Sequence, residues 1–257
     1  CIYKYRFTSR QLIAHSLHIK ADTTLHRRLK YLVKMGHIAE RYEKKLSLLG
    51  KPIAYYLTSG GLRALSKQGT TIPESIVKQS YKDKLASQAF IDHNMTIHAV
   101  SNTLSDQYPT LRAFTKREMT LYDYFPSNRP DAFYSLPIDG GEPIRFFLDI
   151  VTAYDQRYQF EQLLNNYLQY FEADGWEPVS DTLPTLLFIA ESSSIERRVK
   201  SWAHRLLTNK YDLTIEVLTT TLHALNSNAP IIVWSSIDPD HEQLLNISGS
   251  SQEARNE

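Results

Sequence analysis

Asp22-Thr23-Thr24-Leu25-His26-Arg27-Arg28-Leu29-Lys30-Tyr31-Leu32-Val33-Lys34-Met35-Gly36 decides how the front of the chain folds. Leu25, Leu29, Leu32 and Val33 recur at i, i+4, i+7 and i+8, a spacing that gathers apolar side chains on one face of an α-helix. Asp22 or Thr23 supplies a side-chain acceptor for the first free N–H groups, and Gly36 supplies the stop. The opposite face carries His26, Arg27, Arg28, Lys30, Tyr31 and Lys34, donors and cations with almost no acid among them.

Upstream, Thr8-Ser9-Arg10-Gln11 has the spacing of a capping box, so a short helix with Leu12, Ile13 and Leu17 inward should precede the charged one. Downstream, Ile38–Tyr42 and Ile53–Leu57 have strand composition. Between them lies a turn-rich tip with Lys44, Lys45, Gly50, Lys51 and Pro52. Thr58-Ser59-Gly60-Gly61 then opens a further helix with Leu62 and Leu65 inward. Leu32…Gly36-His37-Ile38 followed by Tyr55-Tyr56-Leu57-Thr58…Gly61…Leu65 resembles the winged helix-turn-helix family over residues 7–68. That resemblance implies a recognition helix in the major groove of double-stranded DNA and a wing at the hairpin tip. Arg27, Arg28, Lys30, Tyr31 and Lys34, with His26, would enter or border the groove, and Lys44, Lys45 and Lys51 would touch phosphate beside it.

Charge points the same way. The first 80 residues hold 15 Lys and Arg against 4 Asp and Glu, while the other 177 hold 14 against 24, so a net +1 conceals a basic front and an acidic remainder. A solvated cationic face is the plain alternative, but placement on one helix face plus one hairpin tip favours a polyanion. The single cysteine, Cys1, excludes an internal disulfide and fits a reducing, cytoplasmic setting. A chain starting at Cys1 suggests that residues precede it in the native protein. No apolar run approaches the roughly 18 residues that span a bilayer, so no membrane partner is expected.

The remainder reads as α/β. Residues 69–83 are expected to link residues 1–68 to a domain at 84–234, with a polar, disordered tail at 235–257. A long helix is predicted over 84–107, with Ala86, Ala89, His93, Ile97, Val100 and Leu104 on one face. His93 reads there as a hydrogen-bonded core histidine. Strands are expected at 111–115, 131–137, 144–151, 183–190, 213–218 and 230–234, with Gly140-Gly141 as a hairpin turn. Two amphipathic helices intervene, one striped by Phe160, Leu163, Leu164, Tyr167, Leu168 and Phe171, the other by Ile195, Val199, Trp202 and Leu206.

Arg129-Pro130-Asp131-Ala132 before one strand, Phe146-Phe147-Leu148-Asp149 on the next, and a long helix containing Tyr167 resemble the replication-relaxation family of bacterial mobile elements, over about residues 7–210. The resemblance implies a winged helix followed by a mixed-sheet α/β domain related to the PD-(D/E)XK nucleases. In that pattern two acids at adjacent strand ends hold Mg²⁺ through oxygen, and a Lys two residues after the second acid positions the attacking water. Asp131 and Asp149 match the acids as candidate catalytic and metal-binding residues, but Val151 stands where the Lys should be. No Lys lies between Val151 and Glu196, which leaves Gln156, Arg157 or Gln159 as imperfect substitutes. Asp149 lies between apolar neighbours, and burial of an unpaired acid costs several kcal/mol, so a partner (an ion, an Arg or another side chain) is expected.

Glu118 is a possible third carboxylate. Arg197, Arg198, Lys200, His204 and Arg205 lie off the apolar stripe of their helix and form a second basic patch, for which a solvated face is the plain reading. There is no HExxH, no thiolate cluster for zinc, no Gly-rich phosphate loop and no GxSxG. The expected function is thus a DNA-binding protein of a plasmid or integrated mobile element, acting in replication, relaxation or transfer. It would bind as a homodimer beside replication or transfer proteins, with a nuclease-like domain that has lost its chemistry. The alternatives are a transcriptional regulator with a C-terminal dimerisation or ligand domain, and a Mg²⁺-dependent endonuclease lacking the usual lysine.

Overall fold

A computed structural model describes residues 1–42, 48, 50–211, 213–227, 232–238 and 244–245. The chain divides into two compact units, Cys1–Asn102 and Thr103–Glu257.

The first unit runs α1 (Ile2–Tyr5), β1 (Phe7–Thr8), α2 (Arg10–Ser16), α3 (Thr23–Lys34), β2 (Ile38–Arg41), β3 (Ala54–Leu57), α4 (Ser59–Lys67), α5 (Glu74–Asp83) and most of α6 (Gln88–Gln107). The strands form an antiparallel sheet in the order β1-β3-β2, with Phe7 opposite Tyr56 and Ile38 opposite Leu57. Asp22 caps α3 by accepting from the Leu25 N–H at 3.0 Å. Gly36 ends it with φ +68°, a left-handed turn that a β-carbon would strain. The cap of α2 is Ser9 rather than Thr8, because Thr8 is paired in β1 and its hydroxyl is buried.

Alternation along β3 divides the core. Tyr55 and Leu57 face a cluster with Ile13, Leu25, Leu29, Ile38, Leu62 and Ile76, while Ala54 and Tyr56 join Phe7 and Ile91 on the other side. Gly61 lets α4 lie against the preceding turn, where a β-carbon would stand 2.0 Å from the His37 carbonyl oxygen.

The stretch expected as a linker is part of this unit. Ile76 of α5 is buried with Leu25 and Leu29, and fully buried Asp83 pairs with the Arg6 guanidinium at 2.7 Å. Among the described residues, the division between units falls within α6, not at 69–83. The core histidine of α6 is His98 rather than His93. His98 stacks on Tyr5 at 3.9 Å, and its two ring nitrogens lie 2.7 Å from the hydroxyls of Thr8 and Ser16. Burial pushes its pKa down to about 3.

The second unit contains β4 (Arg112–Thr115), α7 (Lys116–Met119), β5 (Ala132–Leu136), β6 (Ile144–Val151), α8 (Arg157–Glu172), β7 (Thr185–Ala190), α9 (Ser193–Lys210), β8 (Val217–Thr221), α10 (Leu222–Asn226), β9 (Trp234–Ser236) and β10 (Leu244–Leu245). Its mixed sheet has the order β10-β9-β8-β7-β6-β5-β4. β6, β7 and β8 are parallel, and the other pairings are antiparallel. α8 buries Phe160, Leu164, Tyr167, Leu168 and Phe171 against Phe133, Phe147 and Phe188, and α9 adds Ile195, Val199 and Ala203. Trp176 closes this core edge-on against Phe147 at 5.4 Å. β9 and β10 lie partly or wholly in the stretch expected as a disordered tail, and residues 246–257 lie outside the described residues. Among the described residues no helix is long and apolar enough to cross a membrane.

Candidate functional site

Register brings the carboxylates together. Thr115 pairs with Ala132 and Ala132 with Leu148, so the next row across the three strands is Lys116, Asp131, Asp149. Each aspartate prolongs the β5–β6 ladder by accepting a backbone N–H from the other strand. The Asp131 N–H donates to Asp149 Oδ1 at 3.1 Å, and the Ile150 N–H donates to Asp131 Oδ2 at 3.1 Å. The outer oxygens are taken as well. Lys116 Nζ donates to Asp131 Oδ1 at 2.8 Å, and the Tyr167 hydroxyl of α8 donates to Asp149 Oδ2 at 2.7 Å. Both aspartates are 5% exposed.

Electrostatics follow from this burial. Desolvation and the Asp131 charge raise Asp149 to about 7, against the opposing pull of Lys116, the Tyr167 hydroxyl and the Asp131 N–H. Burial alone would lower the Lys116 ammonium, but the two carboxylates outweigh it and hold its pKa above the ordinary value. Tyr167 is pushed well above its usual range by burial, then by the Asp149 charge. The cluster therefore holds its protons and its cation tightly.

The lysine of the row is Lys116, which follows a different strand and bonds Asp131; position 151 is Val. The proposed substitutes are occupied elsewhere. Gln156 and Gln159 cap α8 reciprocally, and Arg157 pairs with Glu161 at 2.7 Å. Val151 is buried in the core against α8. Glu118 accepts the Thr115 N–H at 2.9 Å as the second half of a capping box. That Thr115-x-x-Glu118 pattern was legible, and it marks Lys116 as the residue leaving a strand.

A hard divalent ion such as Mg²⁺ seeks about six oxygen ligands. Here the four carboxylate oxygens each already accept a hydrogen bond, one of them from an ammonium group. Among the described residues no group of three His, Cys, Asp or Glu side chains is placed to hold a metal. The residues present do not fit the ion; Lys116 supplies the positive charge instead.

The cations of the first unit sort into two kinds. Arg27, Arg28, Tyr31 and Lys34 of α3 are exposed, and His26 is half-buried. Lys30 is bound by both Glu40 oxygens at 2.9 Å, and Lys51 by Asp92 at 2.6 Å. Arg27, Arg28 and Lys34 make no ion pair among the described residues. Lys44 and Lys45 lie outside the described residues. Compared with family models, with curated proteins and with solved structures, the chain matches none of them.

Proposed function

We propose that the chain binds double-stranded DNA through its first unit, a winged helix that presents the outer face of α3 to the major groove. In this reading the second unit is a nuclease-like scaffold that holds or presents DNA without cutting it. The setting is that of a cytoplasmic homodimer serving replication, relaxation or transfer of a mobile element. One observation carries the reading: Arg27, Arg28 and Lys34 project from a helix anchored by Leu25 and Leu29, and no acid among the described residues neutralises them. Unpaired cations on a rigid helix are what phosphate and base edges select. The closed Lys116–Asp131–Asp149–Tyr167 cluster supports the non-cutting role of the second unit.

Fluorescence anisotropy with a duplex library tests the first half. Removing two phosphate contacts with Arg27→Ala/Arg28→Ala should lower the salt slope by about 1.8, so that between 50 and 200 mM salt the wild type loses about 12-fold more affinity than the variant. Equal affinity of the two at every salt concentration would refute it. For the second half, supercoiled plasmid with Mg²⁺ should show no nicking beyond that of an Asp149→Asn control.

A further inference from the structure

The second unit carries 12 Lys and Arg against 22 Asp and Glu, yet five of those 12 cations fall on the 18 residues of α9, with Glu196 as its one acid. Glu196 is drawn to the sheet, accepting from the Thr219 hydroxyl at 3.0 Å. The apolar stripe Ile195, Val199 and Ala203 is buried in the core, which fixes the rotation of the helix. Arg197, Arg198, His204 and Arg205 then lie on the opposite face and are exposed, and Lys200 is half-buried.

Several of the unit's other cations are paired, and exposed Arg112 stands alone rather than in a strip. Lys116, Arg145 and Arg157 each have a carboxylate partner within 3.4 Å. None of the α9 cations just named makes an ion pair or a side-chain hydrogen bond among the described residues. Clustered cations left without a carboxylate partner, on a unit that is acidic overall, are available to bind an outside anion.

We infer that the outer face of α9 is a second polyanion-binding surface, and that its ligand is the phosphate backbone of duplex DNA. Arg197 and Arg205 are eight residues apart, about 12 Å along a helix axis, a span over which one DNA strand presents several phosphates. Three exposed guanidinium groups suit phosphate through their planar donor forks. Such contacts fix position and add affinity without reading sequence. The ligand class rests on the DNA-binding reading of the first unit, but the surface is independent of α3.

The test uses the full chain, a duplex probe and a salt titration of affinity. Arg197→Gln/Arg198→Gln/Arg205→Gln should reduce the salt slope by about 2.7, so that the wild type loses about 40-fold more affinity than the variant between 50 and 200 mM salt. Sequence preference should be unchanged. A control Arg112→Gln/Arg157→Gln, also in the second unit, should leave the slope alone. An unchanged slope in the α9 variant, or an equal drop in the control, overturns the inference. So would loss of binding to phosphatidylserine vesicles with DNA binding intact. If the α9 variant is impaired while Arg27→Ala/Arg28→Ala is not, the α3 reading falls and this one stands. If the wild type binds no duplex, both fall.

Discussion

Replacing Asp149 with Asn isolates the most perturbed acid in the chain. Its pKa lies at about 7 in the folded state against an ordinary 3.8. A raised folded pKa means that the native state holds the proton more tightly than the unfolded state does. The resulting stability is fully present below pH 3.8 and is lost as pH rises through 7. At about 1.36 kcal/mol per unit the full effect is about 4 kcal/mol, of which about 2.5 kcal/mol falls between pH 5 and pH 8. The surroundings that set this value are Asp131 and Lys116 in the same row and the Tyr167 hydroxyl from α8. Trp176, Trp202 and Trp234 all lie in the second unit, so tryptophan fluorescence in urea reports its unfolding selectively. Measured in EDTA, the wild type should lose about 2.5 kcal/mol relative to Asp149→Asn between pH 5 and pH 8. A constant offset from the altered hydrogen bonds is expected, and only the slope is decisive. Parallel curves, with a difference that shifts by less than about 0.5 kcal/mol, would show that Asp149 does not titrate there and that the row is not closed as described.

Lys116→Met removes the cation from Asp131 and should cost about 2 kcal/mol at pH 7, less than a fully buried pair would, because the Lys116 side chain is 53% exposed; urea unfolding followed by tryptophan fluorescence measures it. In the first unit the pH dependence has the opposite sign. His98 is held at about 3 against an ordinary 6.5, so stability is present above pH 6.5 and falls as acid is added. Amide exchange in the first unit should report a loss of about 2 kcal/mol from pH 7 to pH 5, and His98→Gln should flatten it. Gly61→Ala places a β-carbon 2.0 Å from the His37 carbonyl oxygen, so helical circular dichroism of the first unit should melt at a clearly lower temperature.

Local pattern carried those parts of the fold that depend on near neighbours in the chain. The Leu25/Leu29 stripe, the Gly36 stop and the strand 144–151 all rest on contacts or turns within a few residues. Asp131 and Asp149 were legible as a pair because a short connection with Gly140 at φ +73° joins their strands. Lys116 was not, because it reaches the row only through the antiparallel register of β4 on β5, which a search downstream of Asp149 does not test. α5 was hidden by its inward positions, since Ile76, Ser80 and Asp83 include a single aliphatic residue. Asp83 is inward because Arg6 lies 77 residues away in sequence and beside it in space. His98 was missed in favour of His93 for a related reason. Its ring is bonded by Thr8 and Ser16, and no helical period announces such partners.

On the nuclease-like reading proposed for the second unit, Lys116 changes the role of the carboxylate pair rather than restoring its chemistry. A lysine following Asp149 on β6 would stand beside a bound ion and act on water. Lys116 approaches from β4 and is spent on Asp131 itself, where its ammonium supplies the charge that the ion would have brought. With Tyr167 donating to Asp149 and the two strands exchanging N–H bonds through the same side chains, the row behaves as an extension of the sheet. Its cost is a buried acid that titrates near neutrality. Exposed cations without a side-chain partner among the described residues include Arg27, Arg28 and Lys34 on α3 and Arg197, Arg198 and Arg205 on α9, all outside the row. On the proposed reading, the surfaces that would grip a polyanion are therefore the outward faces of α3 and α9, while the carboxylates of the row are closed by their own side-chain and backbone bonds.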